Sequence, residues 1–181
     1  LGSDMEYPVS VANQTNLPKI DLMTSEHVSG TSRATPDVVL EFHHRLTKLV
    51  FDIEFEEDLF SLDGGTLVMQ GMKTQGEYEL YQDVLTVDDN SIANINVPTT
   101  TTDDKMTATA IVLPRAAGDG IVFRITTSGG ETFNARMMDN LELKSGFQYK
   151  FIVKLRKTGV INIETYIVNW NDGGEYELIA D

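Results

Sequence analysis

The sequence predicts an all-β chain folded as an antiparallel β-sandwich of about seven strands. Three observations carry that reading. From Phe147 to Leu155 every second residue is apolar, and after Thr158 and Gly159 the alternation resumes through Ile161, Ile163, Thr165 and Ile167 to Trp170, the only tryptophan. Period-two alternation marks a strand with one buried face, and Thr-Gly between two such runs supplies a hairpin turn. Shorter alternating runs upstream are separated by turn-forming residues. No stretch has the apolar spacing of an amphipathic helix longer than about three turns.

Composition limits what such a sandwich can do. With 181 residues, 41% of them hydrophobic, the chain can bury one substantial core, or one core and a detached piece of a second. Its 28 acidic and 14 basic residues give a net charge of -14. That balance argues against nucleic acid, whose binding draws on clustered Lys and Arg, and against an anionic membrane surface. The absence of cysteine removes disulfides, thiolate chemistry and a cysteine-built zinc site, and leaves the compartment open. No apolar run reaches the roughly 20 residues that span a bilayer. The amino terminus lacks the charged and apolar regions of a signal peptide, so an exported protein would be represented here in a mature or trimmed form.

In chain order, Tyr7 to Val11 reads as an isolated strand within residues 6–12, followed by turn-forming residues 13–18. One strand cannot stand alone. Residues 24–36 are small and polar and read as a linker or exposed loop, which starts the main domain near Asp37. There Val38, Leu40 and Phe42 share one parity, whereas Leu49, Phe51, Ile53 and Phe55 have the other. The stretch His43 to Lys48 must therefore hold a bulge, a kink or a short helical turn, because a slip of one residue reverses the buried face. Further strands are expected at Thr66 to Met72, Tyr78 to Val87, Met106 to Leu113, Gly120 to Thr127 and Thr132 to Met137. Ser128, Gly129 and Gly130 join the last two into a hairpin. Loops are expected at Asp88 to Asn96 and Thr99 to Asp104, and a helical turn fits between Arg136 and Lys144, ended by Gly146.

Residues 40–53, with Leu40, Phe42, His44, Leu46, Leu49, Phe51 and Ile53, resemble the opening strand of the second domain in the fimbrillin-like proteins of Bacteroidetes, the FimA and Mfa type pilins and their relatives. The far end is similar too: Leu143, Gly146, Tyr149 and Phe151, then Gly159, Ile161 and Ile163, closing with Val168, Trp170 and Gly173. Tyr7, Pro8 and Val9, with Gln14 and Asp21 to Met23, resemble the end of that family's first domain.

The resemblance implies transthyretin-like sandwich domains, with residues 1–23 the remnant of a first fimbrillin domain, 24–36 the linker and 37–181 the carboxy-terminal domain. It also implies a lipoprotein precursor and a place in a fimbrium at the outer membrane of a Gram-negative bacterium. A complete member carries a lipoprotein signal and a full first domain, neither of which is in this sequence. Family assembly, in which a protease removes a first-domain strand and a neighbour's strand fills the groove, therefore does not map onto the amino end. Arg33 is a cleavage candidate by residue type alone.

Chemistry-bearing constellations are sparse. His43 and His44 are adjacent, so on a strand they face opposite ways and cannot chelate one metal from one face. The acidic run Glu54, Glu56, Glu57 and Asp58, and the pairs Asp88, Asp89 and Asp103, Asp104, lack the spacing of an EF-hand and read as solvated surface. No serine lies in a nucleophile motif. Gly64, Gly65, Gly129 and Gly130 are turn glycines rather than phosphate cradles, since no helix start with lysine follows. Trp170 reads as a core plug, with ligand stacking the sharper alternative. The chain is thus not expected to be an enzyme, and no cofactor or metal is expected.

Two functions of different class remain. The first is a structural or accessory subunit of a surface fimbria that assembles with other fimbrial subunits by β-strand addition and supports adhesion. Its candidate donor segment is Gly159, Ile161, Ile163, Thr165, Ile167 and Trp170, or the tail from Glu175 to Asp181. The second is a surface module that binds a glycan or a host protein through Tyr78, Tyr81 and the two expected loops, with no direct insertion into a membrane.

Overall fold

The computed structural model describes residues 6–27, 38–55, 61–103, 105–117, 121–137, 140–156, 159–170 and 177–179. In chain order the elements are β1 (Glu6–Ser10), the one-turn helix α1 (Leu17–Ile20), β2 (Met23–Ser25), β3 (Phe42–His44), β4 (Thr47–Phe55), β5 (Thr66–Lys73) and β6 (Gln75–Glu79). There follow β7 (Val84–Val87), β8 (Ile92–Val97), β9 (Thr99–Thr102), β10 (Lys105–Val112), β11 (Val122–Thr126), β12 (Thr132–Arg136), β13 (Phe147–Arg156), β14 (Gly159–Asn169) and β15 (Glu177–Ile179).

Two sheets form the expected sandwich. One has six strands in the order β15-β14-β13-β4-β10-β9, the other four in the order β12-β11-β5-β8. Alternation decides which face of each strand is buried. In β4, Leu49, Phe51 and Ile53 point inward, whereas the charged residues between them pair on the outer face, Asp52 with Lys150 and Glu54 with Lys105, both at 2.8 Å. The sheets meet at three phenylalanines: Phe51 lies edge-on to Phe123 at 4.9 Å and stacks on Phe151 at 5.2 Å.

One pairing is not antiparallel: β13 runs parallel to β4, with Phe151 beside Phe51. The whole second sheet lies between these two strands in sequence, which supplies the long crossover that a parallel pair needs. The phase change between Phe42 and Leu49 is a change of sheet. β3 pairs with β2 in a separate ribbon, Leu46 is buried between, and β4 then joins the main sheet.

Other differences have local causes. Tyr78 to Val87, expected as one strand, is β6, a turn and β7, with Asp83 at φ 56. No glycine or proline marks that turn, so the alternation hid it. The stretch expected as a loop at Thr99 to Asp104 contains β9, because threonine is β-branched and suits a pleated edge whatever its polarity. The hydroxyls of Thr99 and Thr101 donate to the carbonyls of Gly65 and Leu62, at 2.9 and 3.2 Å. Much of the other expected loop, Asp88 to Asn96, is β8. The described part of Arg136 to Lys144 holds no helix, and Leu143 instead bridges to Arg115.

The amino-terminal arm packs on this sandwich. β1 adds antiparallel to β6, and Val9 and Val11 are buried in the core. Gln14, itself buried, donates to the Ile111 carbonyl and accepts from the Ile111 amide, each at 2.9 Å, so the arm is stapled to β10. Pro18 opens α1, where its missing N–H costs nothing. β2 then pairs with β3, Ser25 opposite Phe42.

Candidate functional site at the carboxy-terminal sheet edge

β14 is the longest strand, and its backbone decides what this edge can do. On one side it pairs with β13 over its full length, from Phe147 opposite Asn169 to Arg156 opposite Gly159, with an irregularity between Lys154 and Leu155. On the other side its pairing with β15 among the described residues is at Thr165, Tyr166 and Ile167. Ile163, Thr165 and Ile167 face the core, as alternation requires. Gly159 lies at the start of the strand, and the side chain of Ile161 lies outside the described residues, as does most of the tail from Glu175 to Asp181. The long strand is thus held at home, and a three-residue strand forms the sheet edge.

Trp170 closes β14 in a built clasp. Its amide donates to the Gly146 carbonyl at 2.8 Å, and its indole stacks on the His44 ring, with centroids 3.7 Å apart and planes 2° from parallel. His44 Nδ1 lies 2.8 Å from Asp21 Oδ1, and Lys48 Nζ sits 5.7 Å from the Trp170 ring. Gly146 is required here: its φ is +76, and a Cβ would lie 3.2 Å from the His44 carbonyl. Tyr149 fixes the turn by donating to the Glu142 carbonyl at 2.7 Å and accepting from the Lys144 amide at 2.9 Å. Burial pushes the Tyr149 hydroxyl above its ordinary pKa, against the opposing effect of that amide. Trp170 is half-buried against the core and also stacked, so it combines the plug role with a ring contact inside the chain.

A second polar network joins the arm to the β6–β7 turn. The Tyr78 hydroxyl bonds Asp83 and lies 3.2 Å from Thr24 Oγ1; Arg45 donates to Thr24 at 2.6 Å and pairs with Asp83 at 2.8 Å. Burial first, and then the bond to Asp83, raises the Tyr78 pKa. Tyr78 is therefore buried rather than presented as a contact point, whereas Tyr81 is 69% exposed. Among the described residues the exposed large apolar side chains are those of Tyr7, Met23, Phe42, Ile92, residues 38–40 and residues 80, 81 and 84; of these, Tyr7 lies opposite Tyr78 in the β1–β6 ladder and Phe42 opposite Ser25 in the β2–β3 ladder.

The other candidates resolve into structure. His44 is the Asp21 partner in the clasp. Asp88 accepts from the Asn90 amide in its own turn, and Asp89 pairs with Lys73. Gly65 is a close-packing position, since a Cβ there would meet Met106 at 2.5 Å. Among the described residues no group of His, Asp and Glu is placed to hold a metal. Arg33, Glu56 to Asp58 and Asp104 lie outside the described residues.

A family profile described as fimbrillin-like matches residues 2–170. The chain belongs to the fimbrillin-like family. This fimbrillin-like chain is also similar to the crystal structure of a candidate cell adhesion protein from Bacteroides uniformis, with 26% identity and a TM-score of 0.80 over 94% of this chain and 68% of that one. A second candidate cell adhesion protein, from Bacteroides ovatus, shares the fold at 18% identity and a TM-score of 0.73, over 93% of this chain and 62% of that one. The fimbrillin-like chain therefore spans about two thirds of the length of these proteins. No curated protein matches. Family and neighbours together support a fimbrial or adhesive role at the bacterial surface.

Sequence reasoning placed Trp170 at the end of the closing hairpin but missed Asp21, which holds the His44 ring stacked on it, and Gln14, which staples the arm to β10. Asp21 and Trp170 lie 149 positions apart, and nothing local in either segment signals the other.

Proposed function

We propose that this chain is a non-enzymatic structural or accessory subunit of a bacterial surface fimbria and joins other fimbrial subunits by β-strand addition at its carboxy-terminal edge. The observation that carries the reading is the contrast between β13 and β15 as partners of β14. Detaching β14 from β13 would break ten pairings of the main sheet, whereas detaching β15 breaks three among the described residues. Of the two candidate segments, the proposal therefore takes the tail that contains β15 as the strand donated, and Gly159 to Trp170 as the edge it leaves. A short edge strand is the part of a sheet most easily exchanged for a neighbour's. Contacts between unlike surfaces of this kind propagate into filaments because they do not close.

Deletion of residues 175–181 is expected to abolish self-association of the shortened chain while leaving the melting temperature within a few degrees, measured by light scattering and calorimetry. Unchanged association would remove the tail from the donor role.

The proposal extends to the whole protein: an outer-membrane fimbrium, a lipoprotein precursor, residues 1–23 as the exit of a preceding fimbrillin domain, 24–36 as linker and 37–181 as the carboxy-terminal domain. Two features support that layout. The relatives are longer by about a third of their length. Tyr7, an exposed aromatic side chain, stands at the start of β1 opposite Tyr78, so a preceding domain would emerge beside it. A full precursor sequence without a lipoprotein signal and a preceding β-rich domain would overturn this layout.

A further inference from the structure

The clasp at Trp170 stands at the point where the chain leaves β14 for β15, and its outer support comes from the arm rather than from the sandwich. Asp21, between α1 and β2, holds the His44 ring at 2.8 Å; the His44 ring lies flat on the Trp170 indole; and Lys48 of β4 sits near that indole. Asp21 and His44 are both largely buried, with side chains 18% and 14% exposed. Further attachments hold the arm, among them β1 on β6, the Gln14 staple on β10, the β2–β3 ladder, the Thr24 bonds to Arg45 and Tyr78, and the bond from the Arg45 amide to the Leu22 carbonyl at 2.8 Å.

We propose that this clasp is an arm-gated anchor for the carboxy-terminal strand. With the arm docked, Asp21 fixes the His44 ring, the ring fixes Trp170, and only the chain beyond residue 170 is free to leave the sheet. When the arm lifts, the stack loses its support, the end of β14 frays, and the segment able to reach a neighbouring subunit lengthens. The carboxylate acts here as a positioning residue, since it touches His44 and not the strand itself. The inference rests on strand donation by the tail and adds its regulation: the state of the amino-terminal arm sets how much carboxy-terminal strand is on offer.

Hydrogen exchange on the intact chain tests the anchor without reference to assembly. An aromatic stack contributes enough that losing its support should raise the exchange of residues 166–169 about tenfold. The variant Asp21→Ala is expected to show that rise with β4 and β10 unchanged, and Asp21→Asn, whose amide still bonds the ring, to restore most of the protection. No rise at 166–169, or an equal rise throughout the six-stranded sheet, overturns the anchor, the second result assigning Asp21 a purely structural role. Light scattering on the same samples separates the two readings. Faster association of Asp21→Ala supports both, and local fraying with association that the tail deletion leaves untouched sinks strand donation while the anchor stands.

Discussion

Replacing Phe51 with alanine is expected to lower the unfolding free energy by about 3–5 kcal/mol, the range for removing a buried aromatic ring from a core that cannot collapse around the space. Phe51 is fully buried, stacks on Phe151 of its own sheet and meets Phe123 of the opposing sheet edge-on, so its ring is a contact through which the sandwich is closed. Neither neighbour can move inward alone, because each is fixed by a ladder: Phe123 between β5 and β12, Phe151 between β4 and β14. Against a total stability of about 5–15 kcal/mol, such a loss unfolds a sizeable fraction of molecules near body temperature. Urea titration measures it. The exposed ring of Tyr81 supplies the contrast, and Tyr81→Ala is expected to change stability by no more than about 0.5 kcal/mol. Equal effects from the two substitutions would mean that the core is not where the sandwich places it.

The second large effect is expected at Gln14. Gln14→Leu keeps the volume but removes an acceptor from the Ile111 amide and a donor from the carbonyls of Ile111 and Val11. Stranding buried backbone groups costs about 1–3 kcal/mol each, and partial repair by water brings the expected total to about 3 kcal/mol. For a chain of this size that is a fall in melting temperature of about 6–12 °C. The loss should be concentrated in the arm, so exchange of β1 amides should rise before that of β4. A Gln14→Leu protein with unchanged melting and unchanged β1 exchange would show that the arm is not stapled to β10.

The strands that could be read from sequence are those whose burial is one-sided. β4, β11, β12 and β13 alternate cleanly because one face meets the opposing sheet and the other is turned outward. What could not be read has three physical origins. Threonine at 99–102 is polar in composition but strand-forming in geometry. The turn at Asp83 is made by a non-glycine residue in the left-handed region, held by Tyr78 of β6 and by Arg45 from the junction before β4, which lies far away in sequence. Strand β1 read as isolated because its partner β6 lies some seventy residues on, and an arm clipped onto a finished sandwich leaves no periodic trace beyond Val9 and Val11. The same remoteness hid the Asp21, His44 and Trp170 clasp, whose parts lie in three segments that meet only in the fold.

The edge itself could be placed but not weighed. Alternation located Gly159 to Trp170 as a strand, yet it could not tell which of its two sides was held. The structure gives an unequal answer, a full ladder with β13 and three pairings with β15. That inequality turns attention from the side chains of β14 to the release of β15.

A disulfide placed across that short ladder tests strand donation most directly. Tyr166 and Leu178 are direct cross-strand partners, and opposed residues in an antiparallel pair lie about 4.5–5.5 Å apart at Cα, within the reach of a disulfide. The chain has no other cysteine to compete. A protein carrying Tyr166→Cys and Leu178→Cys, taken by itself, is predicted to associate when reduced and to stay monomeric when oxidised, as read by sedimentation velocity. The same behaviour in both redox states would contradict donation of the carboxy-terminal strand.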